Sequence, residues 1–339
     1  MNLVKKVIDT LTYSAGNDVS IDLPTDGFIT QIDLEESIVA SGAAAAALST
    51  YGLWRFLQNI KVEGGGGRNY FGMSGTQMGI LLHYLNLKDY PGRTWREIVA
   101  TTQSVGHRLH FGSYPVNAFG HDNPFDLSVA IPGVKETNLK LTLTFAASDD
   151  TIDDTLTISS GTVRVTVYEA IPNTPAEAMA LLGKLWVPIS SSEGYDPGAT
   201  KSDLEGERDV PTGASLRRIA VMALDATAGS SNGPLLKDDQ ATEIGLKLVK
   251  NNVRLFQMRT KAMELQNPLF DGMQVVDTPN TLSPFSTPGL YLVDLRTFDH
   301  PERGFDLRGM SRGDVKLGFT IGAYSSGEKE FIWYDQVMR

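Results

Sequence analysis

Cysteine is absent from the 339-residue chain, so neither disulfide bridges nor thiolate metal sites hold the fold together. Buried apolar area and assembly have to supply the stability instead. No stretch approaches the roughly 20 consecutive apolar residues that a helical membrane span needs. Basic residues are outnumbered, 30 Lys and Arg against 40 Asp and Glu, and the net charge of −10 is the reverse of a nucleic-acid footprint. Specific nucleic-acid binding is therefore not expected. The N-terminal segment carries Lys5 and Lys6, but Asp9 and Thr10 interrupt any apolar run of signal-peptide length, so synthesis in a cytoplasm is expected. Gly64 to Gly67 lacks the Gly-Lys-Ser/Thr continuation of a phosphate loop and reads as a flexible turn. Ser74 in GMSG lacks the second spacer of a nucleophile elbow and has no indicated base, which argues against serine hydrolysis.

What is present is alternation. In GFITQIDLEE, Phe28, Thr30, Ile32 and Leu34 share one face while Ile29, Gln31, Asp33 and Glu35 share the other, the period of a half-buried strand. LWRFLQNIKVE repeats the pattern with Trp54, Phe56, Ile60 and Val62 against Arg55, Asn59, Lys61 and Glu63. A helix is expected in TQMGILLHYLNL, capped by Ser74, with Met78, Leu81, Leu82 and Leu85 at helical spacing. Residues 88–124 show little period and read as long loops around short strands. Three further strands follow in FDLSVAIP, LKLTLTFA and TVRVTVYEA, with an acidic hairpin, SDDTIDDT, between the last two.

NTPAEAMALLGKL carries the strongest helix signal: Thr174 at the cap, Pro175 at the first position, Glu177 completing a capping box and Gly183 as the stop. This helix divides the chain into an N-terminal arm (1–20), a first strand-rich domain (21–170), a helical linker (171–190) and a second strand-rich domain (191–339). The polar segment from Ile189 to Ala214 reads as a surface run. From Ser215 the first plan returns: SLRRIAVMALD matches FITQIDLEE, TEIGLKLVKN matches LWRFLQNIKVE, a helical piece FQMRTKAMEL follows, and LYLVDLRTF, DVKLGFTIGA and KEFIWYDQV close the series. Leu216 aligns with Ile29, Val315 with Leu139 and Phe331 with Val163, so element order is kept while the loops shorten. Val4, Ile8 and Leu11 belong to a frayed terminus or a strand entering the sheet, with a short amphipathic surface helix as the alternative.

The opening GFITQIDLEE with LWRFLQNIKVEGGGG, the PFDLSVAIPG and LKLTLTFAA pair, and the second-half start DVPTGASLRRIAVMALD together resemble the double jelly-roll major capsid proteins of tailless icosahedral viruses, the adenovirus-like lineage. In size the chain is most similar to those of small lipid-containing bacteriophages. The resemblance spans about residues 20–339 and lies in strand order and spacing. It implies an all-β fold of two tandem eight-stranded antiparallel jelly-roll sandwiches with a few short helices, and a non-enzymatic virion protein. It also implies a homotrimer whose six jelly rolls make a pseudo-hexagonal capsomer in an icosahedral shell. Neighbouring capsomers, minor capsid and vertex proteins would be its partners, with an internal membrane met through the N-terminal segment. That segment is less basic than a membrane-hugging arm.

No catalytic, cofactor-binding or metal-binding residue is assigned, and several clusters have ordinary roles as their alternative. His107, His110 and His121 with Asp122 form the only histidine cluster, and His107-x-x-His110 has metal-ligand spacing, but loop histidines are commonly plain surface residues. Asp149, Asp150, Asp153 and Asp154 would suit calcium or, more simply, a solvated hairpin tip. Arg312-Gly313-Asp314 spells an adhesion tripeptide in what reads as turn chemistry before a strand. Trp54, Trp186, Trp333 and Tyr334 would line a sugar platform or fill cores and subunit contacts. Two other function classes compete with the capsid reading: a two-domain β-sandwich enzyme acting on glycans through Asp122 and Asp126, and a carbohydrate- or receptor-binding module.

Overall fold

The computed structural model describes residues 1–42, 52–85, 102–112, 124–147, 156–225, 235–236, 241–249, 252–260, 263, 289–296, 304–324 and 328–339. Two compact units divide the chain: Met1–Ser191 with Val337–Arg339, and Ser192–Gln336. The first series of elements is β1 (Asn2–Thr12), β2 (Asp18–Asp22), β3 (Phe28–Gly42), β4 (Leu57–Glu63), β5 (Asn69–Met73), α1 (Gly75–Leu85), β6 (Thr102–His110), β7 (Ile131–Pro132), β8 (Lys140–Phe145), β9 (Leu156–Ile171) and α2 (Pro175–Leu182). The second is β10 (Val187–Tyr195), β11 (Lys201–Asp209), β12 (Ser215–Asp225), β13 (Leu235–Leu236), β14 (Ala241–Leu248), β15 (Val253–Arg259), β16 (Leu290–Asp294), β17 (Phe305–Asp306), β18 (Val315–Ile321) and β19 (Glu328–Met338).

Each series makes two sheets. In the first, one sheet runs β1, β9, β3, β6, and the other runs β2, β8, β4, β5. In the second, β10, β19 and β12 lie in order, with β17, β16 and β13 pairing successive stretches of β12, and the companion sheet runs β11, β18, β14, β15. Exchanging β1, β2, β3, β4, β5, β6, β8 and β9 for β10, β11, β12, β14, β15, β16, β18 and β19 reproduces both sheet orders. Even the short strands correspond, since β7 meets β3 at Phe28 and Ile29 while β17 meets β12 at Ser215 and Leu216. The chain contains one eight-stranded antiparallel plan twice, which is the two-jelly-roll architecture expected from the sequence.

The period-2 pattern explains why these segments are strands. In β8, Leu141, Leu143 and Phe145 are buried while Lys140, Thr142 and Thr144 point away from the core. On the outward side Thr142 meets Ser20 across the ladder at 2.9 Å and Thr144 donates to Asp18 at 2.5 Å. Inside, Phe145 and Phe56 stand edge to face with centroids 5.2 Å apart, and Tyr13 stacks on Phe56 at 5.4 Å. Burying a phenylalanine side chain of this kind contributes about 2–3 kcal/mol. The second core follows the same logic, with Leu317 and Phe319 of β18 facing Ile219 and Val221 of β12, Ile244 and Leu246 of β14, and Tyr334 of β19.

The two helices predicted with caps form with those caps. Ser74 accepts the Gln77 N–H while Gln77 accepts the Ser74 N–H, each at 3.1 Å. At α2, Thr174 accepts from Glu177 N–H at 3.2 Å, and Glu177 reaches back to the Asn173 N–H at 2.7 Å. The tetraglycine is the β4–β5 hairpin turn: Gly66 and Gly67 adopt φ of 72° and 76°, which other residues avoid.

Several expectations are corrected. Residues 1–20 supply β1 and the start of β2, so Asn2–Thr12 is a sheet strand rather than an arm. The polar run from Ile189 to Ala214 holds most of β10, all of β11 and a bend. Within residues 88–124, read as long loops around short strands, Thr102–His110 is a strand of nine residues. FDLSVAIP shrinks to the two residues of β7 and a bridge from Val129 to Trp186. FQMRTKAMEL begins as the end of β15, with Phe256 and Met258 turned toward the core, and its helical part starts only at Thr260, with Met263 also helical. Finally, Val163 faces the core of its unit as Ile332 and Tyr334 do in theirs, so pairing Val163 with Phe331 is one residue out of register. Among the described residues no helix is long and apolar enough to cross a membrane.

Candidate functional site

His107 is not a surface residue. It lies on β6 at 1% exposure, its Nδ1 hydrogen-bonded to the equally buried Glu36 carboxylate of β3 and its Nε2 2.9 Å from the carbonyl oxygen of Gly75, the first residue of α1. Each ring nitrogen thus faces an oxygen, one on β3 and one on α1. The pair pins the start of α1 to the sheet. His110, three residues on, contacts Gln31 Oε1 through Nδ1 at 3.2 Å, and His121 and Asp122 lie outside the described residues. Strand alternation separates His107 from His110, so the H-x-x-H spacing does not converge on a metal. Among the described residues no group of three or more His, Asp or Glu side chains is placed to hold an ion.

Asp126 accepts the Ser128 N–H at 2.8 Å. Asp149, Asp150, Asp153 and Asp154 lie outside the described residues. Arg312 projects from a turn with its side chain 89% exposed, but Asp314 is engaged within that turn, accepting the Ser311 N–H at 2.8 Å. Trp54, Trp186, Trp333 and Tyr334 are all buried, so none presents a sugar platform. Trp186 packs with Val129 and Val337, and Tyr334 donates to Glu193 at 2.9 Å, its phenol pushed up by burial and then by that carboxylate.

Buried charge recurs elsewhere. Asp335 accepts from Arg217 at 2.6 Å and from Arg218 at 2.7 Å, with all three side chains about 4% exposed or less. Burial alone would raise the Asp335 carboxyl, but the two guanidinium groups outweigh it and hold the group below its ordinary range. Glu136 gathers the Tyr70 hydroxyl, the Gly65 N–H and Arg68 beside the tetraglycine turn. Burial first, and then this carboxylate, pushes the Tyr70 phenol up to about 12. The Asp335 group ties β19 to β12, and the Glu136 group fixes the tetraglycine turn.

The open feature is the outer face of the sheet β1, β9, β3, β6, where a groove of about 750 Å³ is lined by Lys5, Asp33, Glu35, Arg108, Arg164 and Tyr168 among others. Register places these side chains in rows across the sheet. Thr10, Arg164, Glu35 and Gly106 form one row, and Val7, Thr166, Asp33 and Arg108 the next. Opposite charges meet along both, Arg164 with Glu35 at 3.5 Å and Arg108 with Asp33 at 3.0 Å. Lys5 sits over the Tyr168 ring at 5.3 Å. The alternation of Gln31, Asp33 and Glu35 marked part of this face in the sequence. Its partners on β1, β6 and β9 carried no signal, because cross-strand register is set over more than 70 residues of chain.

No protein-family model matches the sequence, and no curated protein matches it. Solved structures do. The crystal structure of the STIV major capsid protein matches with a TM-score of 0.75 at 16% identity, covering 100% of this chain and 97% of that one. The chain has the double jelly-roll fold. The atomic structure of Sulfolobus Turreted Icosahedral Virus gives a TM-score of 0.73 at 15% identity, over 100% of this chain and 91% of that one. The major capsid protein P2 from bacteriophage PM2 gives 0.54 at 14% identity, over 99% and 98%. Likeness at such identities establishes the double jelly roll and its strand order, and the groove described above lies on the first of its two rolls.

Proposed function

We propose that this chain is a structural virion protein, a major capsid protein that self-assembles as pseudo-hexagonal trimers into an icosahedral shell. The observation that carries the reading is the duplication: two units with identical sheet orders in one chain, on a fold shared along its whole length with viral capsid proteins. Three such chains arranged about a threefold axis present six similar units, which tile a surface as a hexagon would. The two jelly rolls are the building blocks, and the stretch around residues 171–190 joins them. Sheet edges such as β1 and β15 are the kind of exposed strand that assembly covers, and a chain without cysteine gains its remaining stability there.

In this reading the protein is not an enzyme and acts within the virion, after synthesis in a host cytoplasm. Its partners are copies of itself, neighbouring capsomers, and minor capsid and vertex proteins. An internal membrane would lie beneath the shell without being met by a free N-terminal arm, since Asn2–Thr12 is held in a sheet. Electron microscopy of the purified full-length protein tests the reading. Threefold or pseudo-hexagonal particles about 7–10 nm across, or closed shells, are expected on the scale of a six-domain assembly. Isolated single chains at every concentration tried would contradict it.

A further inference from the structure

The two units share one plan and part at a single row of the companion sheet. In the first unit β2 pairs with β8 without a break from Asp18–Thr144 to Asp22–Lys140, and Ser20, Thr142 and Lys61 stand side by side on the outer face. With Val315 aligned to Leu139, the second unit has Gly318 where the first has Thr142, and Gly245 where it has Lys61. Two side chains are missing from that row, and β11 fills the space. Its ladder to β18 runs from Asp209–Lys316 to Gly206–Phe319 and resumes at Lys201–Ile321, so the four residues Ser202–Glu205 span what Thr320 alone spans on β18. The surplus chain folds over the outer face and lays Leu204 across both glycines, leaving no room for a Cβ on either. Little holds it there. Ser202, Asp203 and Glu205 are exposed, and Leu204, 9% exposed, is the one side chain of the four turned inward. The Leu204 N–H donates to Thr320 Oγ1 at 3.0 Å, outside the ladder, and Ser202 donates to Glu205 within the segment itself at 3.1 Å. Asp203 and Leu204 hold φ of 45° and 62°, the left-handed region in which two adjacent non-glycine residues are strained.

We propose that Ser202–Glu205 is a strap that lifts off while its unit stays folded, uncovering a slot floored by Gly245 and Gly318. Lifting it releases the strain at Asp203 and Leu204 and breaks none of the β11–β18 pairs on either side of the bulge. The β18 strand keeps β14 along its other edge throughout. Closed, the slot is filled by the chain's own leucine. Open, it is an apolar floor with a cationic rim, since Lys247, Lys316 and Arg254 line the small cavity of about 40 Å³ that remains beside Leu204, together with Asp203 and Glu207. Lys316 and Lys247 engage Glu207 at 2.6 Å and 3.9 Å, so the rim stays tied to β11 when the strap leaves. The device belongs to the second unit alone, because the unbroken β2–β8 ladder has no surplus chain to lift. It is independent of the capsid reading and stands or falls without it.

Hydrogen exchange on the full-length protein, read residue by residue with fragmentation mass spectrometry, tests the strap. The Leu204 amide is expected to exchange at least about 100-fold faster than the Phe319 and Leu246 amides beside it, as for a local opening. Its rate is expected to stay flat in urea below the unfolding transition, because the opening exposes little surface, while the Phe319 and Leu246 rates climb. A Leu204 amide that exchanges at the Phe319 rate with the same urea dependence overturns the proposal, since the segment then leaves only when the unit unfolds. A second measurement reads the uncovering itself. The chain has no cysteine, so the thiol of Leu204→Cys is unique. With circular dichroism native, it is expected to react with a maleimide at a rate that is also flat in low urea. A thiol that stays unreactive until the unfolding transition overturns the proposal even if the amide exchanges fast, the more so because cysteine anchors the strap less firmly than leucine.

Discussion

The Glu36 carboxylate and the imidazole of His107 are hydrogen-bonded to each other with both side chains wholly screened from solvent, bridging β3 and β6 beneath the first turn of α1. Removing one member leaves a polar group buried without its partner. His107→Ala is expected to destabilise the protein by about 3–5 kcal/mol in urea unfolding, the range for breaking a buried pair. Replacing both with Leu is expected to cost clearly less than the two single changes together. Additive losses would show that the two groups act independently.

Asp335 makes the equivalent prediction for the second unit. Asp335→Asn deprives Arg217 and Arg218 of their shared carboxylate and is expected to cost about 3–5 kcal/mol. The carboxyl is held below its ordinary value of 3.8 in the folded protein, so its contribution is fully present above that value and fades as pH falls below it. Unfolding followed from pH 6 down to pH 2 should show a loss on the acid side that is smaller in Asp335→Asn. An identical acid profile in the variant would contradict the assignment.

Glu169 behaves in the opposite sense. It is wholly buried on β9, and burial raises its carboxyl, partly offset by Lys6 and the Gly27 N–H, with Asp26 adding to the rise. A raised carboxyl favours the fold at low pH and opposes it as pH climbs through the folded-state value. Glu169→Gln is therefore expected to leave stability near pH 4 little changed and to raise it at pH 8 by about 1 kcal/mol, seen as a higher midpoint in urea. A loss of stability at pH 8 would show that the ionised carboxylate is needed.

Gly245 and Gly318 face each other across β14 and β18, and Leu204 lies over both. A Cβ on Gly318 would come within 2.8 Å of the Leu204 carbonyl oxygen, and one on Gly245 within 2.6 Å of its side chain. Leu204 and Asp203 hold left-handed backbone angles, φ 62° and 45°, to make this contact. Gly318→Ala meets backbone at 2.8 Å and is expected to cost about 1–3 kcal/mol, whereas Gly245→Ala has its closest contact with a flexible side-chain end and the Phe256 carbonyl oxygen farther off at 3.2 Å, and should cost less. Thermal unfolding of the two variants orders them, and the reverse order would show that the Leu204 segment yields as easily as its side chain.

Most strands legible in the sequence sit inside a sheet, and β16, which pairs only with β12 but is apolar and buried, is the exception. β3, β4, β8, β12, β14 and β18 have neighbours on both sides and a buried face, so their alternation is strong. β1, β2, β10 and β11 are all outermost in their sheets. With one hydrogen-bonding side unpaired and much of each face wet, they tolerate Lys5, Lys6, Asp18, Glu193 and Glu205, and their polarity hid them. β15 was hidden differently, because Phe256 and Met263, seven residues apart, suit helical spacing while Phe256 and Met258 suit alternation. The buried partner of His107 was invisible for a topological reason: Glu36 stands 71 residues away and meets it only through the β3–β6 register. Local spacing suggested a metal where the fold made a bridge.

The central claim is that the duplicated unit exists to be assembled. Static light scattering on the size-separated full-length protein at micromolar concentration tests it most directly. The account predicts a mass three times that of one chain, persisting on dilution as an interface burying well over about 2,000 Å² should. A mass of one chain across that range would contradict it.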